Sequence, residues 1–449
     1  MLTAMKYIST VPFSGLFNWS VQYLNDSKIA FSKAYPMMRI GEFLKRNKTA
    51  VSIEDDKTYK RPTIKVRNGG ILLRDEEKGC NIGTKYQFLI SKGQFLLSKI
   101  DARNGAFGVV PDELDGGIIT GNFWTFDVNY NIVNPYYLTL LTTTQAFVSF
   151  CEHASNGTTN RHYLQEHLFL NIKVPVPSLE EQDKLVKEYN KHMSAANVLL
   201  EKARFEESNL HRYILTQLGV KLPKETISQK KGNSCLLSFV NYKDVDRWDM
   251  WGKEYYINNL LNKSIYPITK LGLWDFTVRS WRKNTDNFRY IEMSDIDPIF
   301  GITNDTHLST NKAPSRATQI VKTGDLIIGT TRPYLKRFAI VPEKYDQCIC
   351  SSAFQVIKPS RKYNIEFVYY FLQTKLAIIQ FETYMTGALY PAINTSDLRQ
   401  IKVPLPPLPI QNSIVRYANK KRQAIKSYIL KSENKCIDAL KYFESQIFE

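Results

Sequence analysis

IKVPVPSLEEQ, from Ile172 to Gln182, recurs as IKVPLPPLPIQ from Ile401 to Gln411, an offset of 229 with seven of eleven positions identical. Such a repeat governs the reading of everything else, because a missed duplication misassigns the whole fold. Upstream, GQFLLSKIDARNGAFGVVP (Gly93 to Pro111) aligns with GDLIIGTTRPYLKRFAIVP (Gly324 to Pro342) at an offset of 231, with glycine and proline matched at the two ends. The same offset sets Phe123 on Phe354, Pro36 on Pro267 and Ile40-Gly41 on Leu271-Gly272. A unit of about 230 residues is therefore repeated in tandem, far longer than a solenoid repeat and suited to a duplicated domain.

Beyond each proline motif, apolar residues recur at alternating spacings of three and four. The first copy has Val186, Tyr189, Met193, Ala196, Leu200 and Ala203, then Glu207 as a break before Leu210 and Ile214. A shift of 229 gives Val415, Ala418, Arg422, Ile425, Ile429, Ser432, Cys436, Ala439 and Phe443. The preserved register predicts two long helices in equivalent settings. Ser178 with Glu181 is a capping-box pattern and Gly219 then Pro223 a stop, while Pro409 sits in a first turn, where a missing N–H costs little. Each helix should run about 39 residues, or roughly 58 Å. A stripe of this kind usually packs on its own domain, but 58 Å overhangs a domain of about 165 residues. Each helix therefore needs a long partner, and the chain supplies one: Val186, Tyr189, Met193, Ala196 and Leu200 should pair with Val415, Ala418, Ile425 and Ile429, antiparallel. The polar stripe positions Glu207, Arg422 and Ser432 predict a modest pairing that a partner protein's helices complete.

The expected fold class is α+β: two tandem mixed α/β domains, each followed by a long helix, the helices forming an antiparallel coiled coil. The expected boundaries are 1–177 for the first domain, 178–219 for its helix, 220–238 for a linker, 239–406 for the second domain and 407–449 for its helix. Phe123 to Val128 and Phe338 to Val341 read as strands, and Pro135 to Phe150 and Ile365 to Tyr384 each as a short helix.

The 449 residues are 43% hydrophobic, 12% aromatic and 23% charged, which is globular rather than disordered composition. Lys plus Arg is 60 against 43 for Asp plus Glu, a net charge of +17 with a pI near 9.3. That balance favours a polyanionic partner, nucleic acid first and an anionic membrane surface second. MLTAMKYISTVPFSGLF has no secretory pattern, and the uncharged window Val128 to Cys151 is too polar to span a bilayer. Six scattered cysteines without a CxxC pair suit a reducing compartment and offer no zinc framework. A cytoplasmic location is the expectation.

The tandem domains, the phrase GDLIIGTTRP (Gly324 to Pro333), the turn Gly157-Thr158-Thr159 and above all IKVPVPSLEEQ leading into a heptad helix resemble the specificity subunit of a type I restriction-modification enzyme. The resemblance runs from about Trp19 to Phe443. It implies two target recognition domains, each reading half of a bipartite double-stranded DNA sequence, and helices that act as a ruler and dock two methyltransferase subunits. S-adenosylmethionine would be used by those partners, and ATP-dependent restriction subunits would join where the system cleaves. The chain itself would hold no catalytic residue, metal or cofactor. It departs from the pattern at Pro409-Ile410, against Glu180-Glu181, and at Gly387-Ala388-Leu389, against Gly-Thr-Thr.

Enzyme readings fare worse on the residues. Asn134-Pro135-Tyr136-Tyr137 resembles the NPPY loop with which adenine methyltransferases hold a flipped base, yet no convincing Gly-rich turn precedes it. Pro111-Asp112 lacks the acidic-x-Lys partner of a metal nuclease. The six histidines form no HExxH, and no P-loop occurs. The alternatives are a catalytic fusion carrying its own methyltransferase or nuclease site, and a duplicated coiled-coil adaptor, which leaves the charge unused.

DNA recognition needs cations for phosphates and Arg, Lys, Asn or Ser/Thr with aromatics for base edges. Four loops carry that mixture: Lys99, Arg103 and Asn104; Asn156, Thr158, Thr159, Asn160 and Arg161; Arg279, Trp281, Arg282 and Lys283; and Arg332, Tyr334, Lys336 and Arg337. Any one could equally be a solvated basic loop. Lys99 to Asn104 and Thr330 to Lys336 are favoured because the duplication sets them at matching places. Lys312 and Arg316 are weaker candidates.

Overall fold

Short β-branched and aromatic runs between glycine, asparagine and proline turns can bury a core only by layering, and each domain copy folds into several small sheets backed by helices. The computed structural model describes residues 29, 31–32, 34–66, 69–156, 163–222 and 251–448. Thr158, Thr159, Asn160, Arg161, the N-terminal stretch and most of the expected linker lie outside them.

In the first domain β1 (Leu44–Asn47), β2 (Phe95–Ser98), β3 (Phe107–Val109) and β4 (Phe123–Val128) form an antiparallel sheet in the order β1-β4-β2-β3. Phe126 lies opposite Phe95 and Trp124 opposite Leu97. Because side chains alternate along a strand, Phe95 and Leu97 enter the main core while Leu96 enters a separate one with Ile71 and Ile90. β2 is thus buried on both faces, which explains its unbroken apolar run. The second domain repeats the sheet with β5 (Phe276–Thr277), β6 (Leu326–Gly329), β7 (Phe338–Ile340) and β8 (Phe354–Ile357), ordered β5-β8-β6-β7. A further sheet runs in the order Thr306–Ser309, Asn287–Ile291, Ile349–Ser351, Ala317–Ile320.

The expected helix Pro135 to Phe150 is two helices, α1 (Pro135–Thr142) and α2 (Gln145–His153). The break comes from a threonine run: Thr144 donates to the Leu141 carbonyl at 2.8 Å and accepts from the Phe147 N–H, ending one helix and capping the next. α3 is the long helix Leu179–Gln217. Ile365 to Tyr384 is likewise α4 (Ile365–Leu372) and α5 (Lys375–Tyr384), with Thr374 donating to the Phe371 carbonyl at 2.7 Å. α6 is the second long helix, Leu408–Ile447.

The repeated proline motif is a clamp. Its KVP segment pairs antiparallel with the domain's first strand, Lys173–Pro175 with Met37–Arg39 and Lys402–Pro404 with Ile268–Lys270. Gln182 then accepts from the Asn134 N–H at 2.8 Å and donates to the Pro177 and Ile132 carbonyls. Gln411 repeats this with the Asn364 N–H at 2.8 Å and the Pro406 carbonyl at 2.7 Å. Gly41 and Gly272 match because of close approach: a Cβ at Gly41 would stand 3.2 Å from the Leu170 carbonyl oxygen, and one at Gly272 2.9 Å from the Arg399 Cβ.

By contacts the chain divides within its long helices rather than at their ends. One unit takes the described residues up to Asn197 with those from Glu433 onward, and the other takes Val198–Ser432. Each unit therefore holds one domain and part of both helices. In the first, Phe443 and Ile447 of α6 join the core that contains Leu185, and Phe31 stacks on Phe448 at 5.4 Å. In the second, Tyr213 of α3 stacks on Tyr417 of α6 at 3.9 Å, while Lys421, further along α6, bonds Glu206, earlier along α3, at 2.7 Å. The helices run antiparallel. Among the described residues none is long and apolar enough to cross a membrane.

Candidate nucleic-acid interface

The two loops that the duplication made equivalent adopt the same local shape. Ala102–Asn104 and Pro333–Leu335 are both single 3₁₀ turns between the second and third strands of their sheets. Each turn ends in a left-handed residue, Gly105 at φ 72° and Lys336 at φ 54°. Glycine adopts that conformation freely and lysine at a cost of about 1 kcal/mol or more. Arg332 (φ 48°) and Lys283 (φ 56°) are left-handed too. Among the described residues four non-glycine residues have positive φ, and three of them are basic residues expected at DNA. Strain of this kind gathers where function dictates the backbone.

Lys99 lies with its ammonium 5.2 Å from the Tyr163 ring centroid, Arg103 is half-buried and Asn104 is exposed. Asn156 pairs through its backbone with Tyr163. In the second domain the Arg332 guanidinium sits 5.0 Å over the Tyr390 ring and donates to the Leu389 carbonyl at 3.0 Å, holding a loop whose Leu389 and Tyr390 are exposed. Its buried Nε has no hydrogen-bond partner. Tyr334 and Arg337 are half-buried, and Lys336 lies 3.6 Å from Glu207.

The Arg279 to Lys283 loop divides in two. Arg279 pairs with both oxygens of Asp325, a carboxylate 1% exposed, so its charge is spent inside the domain. Trp281 is 9% exposed with its ring 4.3 Å from Phe288, and belongs to a small core. Arg282 and Lys283 are exposed.

Along the long helices, Ala196, Val415, Ala418 and Ile425 are buried, while Val186, Tyr189, Met193, Leu200 and Ile429 are half-buried. Arg422 interrupts the stripe for a reason the periodicity does not carry. It is 5% exposed, and its guanidinium donates to the Ile299 and Pro298 carbonyls, to Gln373 Oε1 at 2.9 Å and to the Tyr369 hydroxyl. Its position in the stripe is an anchor of the second domain on α6. Burial and the charges of Lys336 and Arg422 lower the pKa of nearby His211 to about 3.

Asn134 is committed as a helix cap: its side chain accepts from the Tyr136 N–H at 2.8 Å and donates to Asp183 at 2.7 Å. Those bonds use the atoms that would grip a flipped base. Among the described residues no group of three or more His, Cys, Asp or Glu could hold a metal ion. No local signal singles out Arg61, Arg74 or Glu292: Arg74 opens the charged run Arg74 to Lys78, which resembles an ordinary solvent face, and Glu292 merely follows a strand.

A family model described as the type I restriction modification DNA specificity domain matches residues 33–207 and 278–432. A search of curated proteins finds no match. Of solved structures, a chain from work on the complex assembly and conformational transition of the type I R-M system is 15% identical, covering 93% of this chain and 98% of its own, at a TM-score of 0.49. The HsdS subunit from Thermoanaerobacter tengcongensis is 15% identical over 92% of this chain and 98% of its own, at a TM-score of 0.37. The type I restriction-modification S subunit from M. genitalium is 9% identical over 93% and 98%, at a TM-score of 0.43. Since the family model fits each half once and most of the chain in all, this protein belongs to the type I restriction-modification DNA specificity family.

Proposed function

We propose that this chain is the non-catalytic DNA-reading subunit of a type I restriction-modification assembly in the cytoplasm, and that each domain reads one half of a bipartite target. The observation that carries this reading is the pair of equivalent 3₁₀ turns, Ala102–Asn104 and Pro333–Leu335, set among cations in two copies of one sheet. A monomeric reader with two related domains and antiparallel helices meets two half-sites, as dimeric readers do with two subunits. The exposed faces of the helices dock two methyltransferase subunits, which use S-adenosylmethionine, and restriction subunits join where the system cleaves. Arg103, Asn104, Arg282, Lys283, Arg332 and Arg337 meet the DNA, while Arg279 and Trp281 shape the loop that presents their neighbours.

Methylation-site mapping of the complex assembled with its neighbouring gene products tests this. The expected product is a bipartite motif with an unread spacer of fixed length. Arg103→Ala should relax discrimination in one half and Arg332→Ala in the other. An even loss at both halves, with the salt slope flattened by about one, would reassign the altered residue to a phosphate. A continuous motif, or methyl transfer by the isolated chain that disappears with Asn134→Ala, would overturn the reading.

A further inference from the structure

Two clefts, one in each domain, fall at equivalent places in the duplication. The first, about 170 Å³, includes Arg61, Pro62 and Thr120 in its wall, and the second, about 310 Å³, includes Glu292, Met293 and Ser351. These three positions match one for one at the offset of 231, so the two clefts share one wall of the duplicated fold and differ in the rest of their lining. Thr331 and Arg337, from the segment holding the second 3₁₀ turn, complete the second cleft and join it to the candidate interface.

The copies differ in charge at their shared positions. In the first, the Arg61 guanidinium is neutralised by Asp75 at 2.7 Å and Glu77 at 3.3 Å, and the exposed Arg74 of the same wall shares the Asp75 carboxylate at 3.2 Å, beside the hydroxyls of Thr84 and Thr120. In the second, the equivalent position is Glu292, an exposed carboxylate that accepts from Ser294 Oγ at 2.5 Å. Two guanidiniums, Arg316 and Arg337, share that wall. Among the described residues no ion pair joins either of them to Glu292, so both signs of charge are left for a ligand.

We propose that the two clefts are base-reading sites, and that the second takes a G·C pair. This rests on the DNA-specificity reading above. In the major groove guanine presents two acceptors, O6 and N7, which an arginine fork satisfies, and cytosine presents the N4 amino donor, which a carboxylate accepts. The second cleft holds both complements. The first holds two ion-paired arginines and hydroxyls but no carboxylate in its wall, so it does not select the cytosine amino group, and the two half-sites differ in sequence.

The test uses the full chain assembled with its methyltransferase subunits and a duplex library randomised at one half-site at a time. Glu292→Gln keeps the shape and removes the charge, and Arg316 is exposed, so Arg316→Ala spares the core; thermal melting checks that both fold. Each should reduce preference at one base pair of the second half-site by about tenfold or more and leave the first unchanged. Arg74→Ala should do the reverse. If the wild-type complex selects a bipartite site and the variants select it unchanged, the clefts do not read bases although the specificity reading stands. An even fall in affinity across all sequences would make these side chains phosphate contacts and also overturn the proposal. A wild-type complex with no sequence preference would instead remove the underlying reading.

Discussion

Arg279 shows how a basic residue in a recognition loop can serve the fold. Its fork closes on Asp325, and removing it would leave a carboxylate charge buried without a counter-ion. Arg279→Ala should cost the second unit about 3 kcal/mol, read as a lower urea midpoint. Any loss of DNA binding should follow that loss of fold and not a change in sequence preference. His211 is a second case. It is neutral when folded, with a pKa of about 3, and the nearby Glu207 carboxylate is already drawn to Lys336 at 3.6 Å. The unfolded chain has an ordinary histidine, so between about pH 6.5 and 3 the unfolded state holds the extra proton and stability falls as pH falls. From pH 6.5 to 5 the loss should be about 2 kcal/mol, and His211→Asn should flatten it. An unchanged slope in that variant would remove the assignment.

Among the elements, the start of each long helix matters most. Gln182 and Gln411 are fully buried, and each bonds one part-buried backbone donor and at least one buried backbone acceptor. Gln411→Ala should cost about 2 kcal/mol by orphaning the Asn364 N–H and the Pro406 carbonyl. Hydrogen exchange should show the loss at the start of α4 and the start of α6, with the first unit's amides unchanged. Equal deprotection in both units would mean that the clamps are not local. Arg422 makes a related point about the heptad stripe. Periodicity marks it as a weak core position, whereas its donors satisfy carbonyls from a loop as well as side chains of α4 and its cap.

For the whole molecule, the length of α3 and α6 is the quantity that reaches the DNA. Helices of 39 and 40 residues run about 58–60 Å at 1.5 Å per residue. A folded seven-residue insertion in both, after Ala203 and after Ser432, adds about 10 Å. At roughly 3.4 Å per base pair, the unread spacer should lengthen by about three base pairs with both half-sites unaltered. Methylation mapping measures this directly, and an unchanged spacer in a folded variant would deny the helices a ruler's role.

The duplication, the long helices and their register were legible in the sequence because each depends on residues near one another along the chain. Apolar spacing of three and four dictates a helix stripe whatever surrounds it, and the two proline phrases advertise two equal junctions. Equivalence of the two basic turns followed from the same arithmetic. Which cations face outward did not follow. Arg279 meets Asp325 across 46 residues, Trp281 meets Phe288 on the other side of a turn, and Arg422 reaches Pro298 across 124. A charge is buried or free according to the partner that folding brings to it, and nothing in its immediate neighbours encodes that. The clefts obey the same rule. Arg61, Arg74 and Thr120 lie on three separate strands and turns, and only the closing of the sheets makes them one wall.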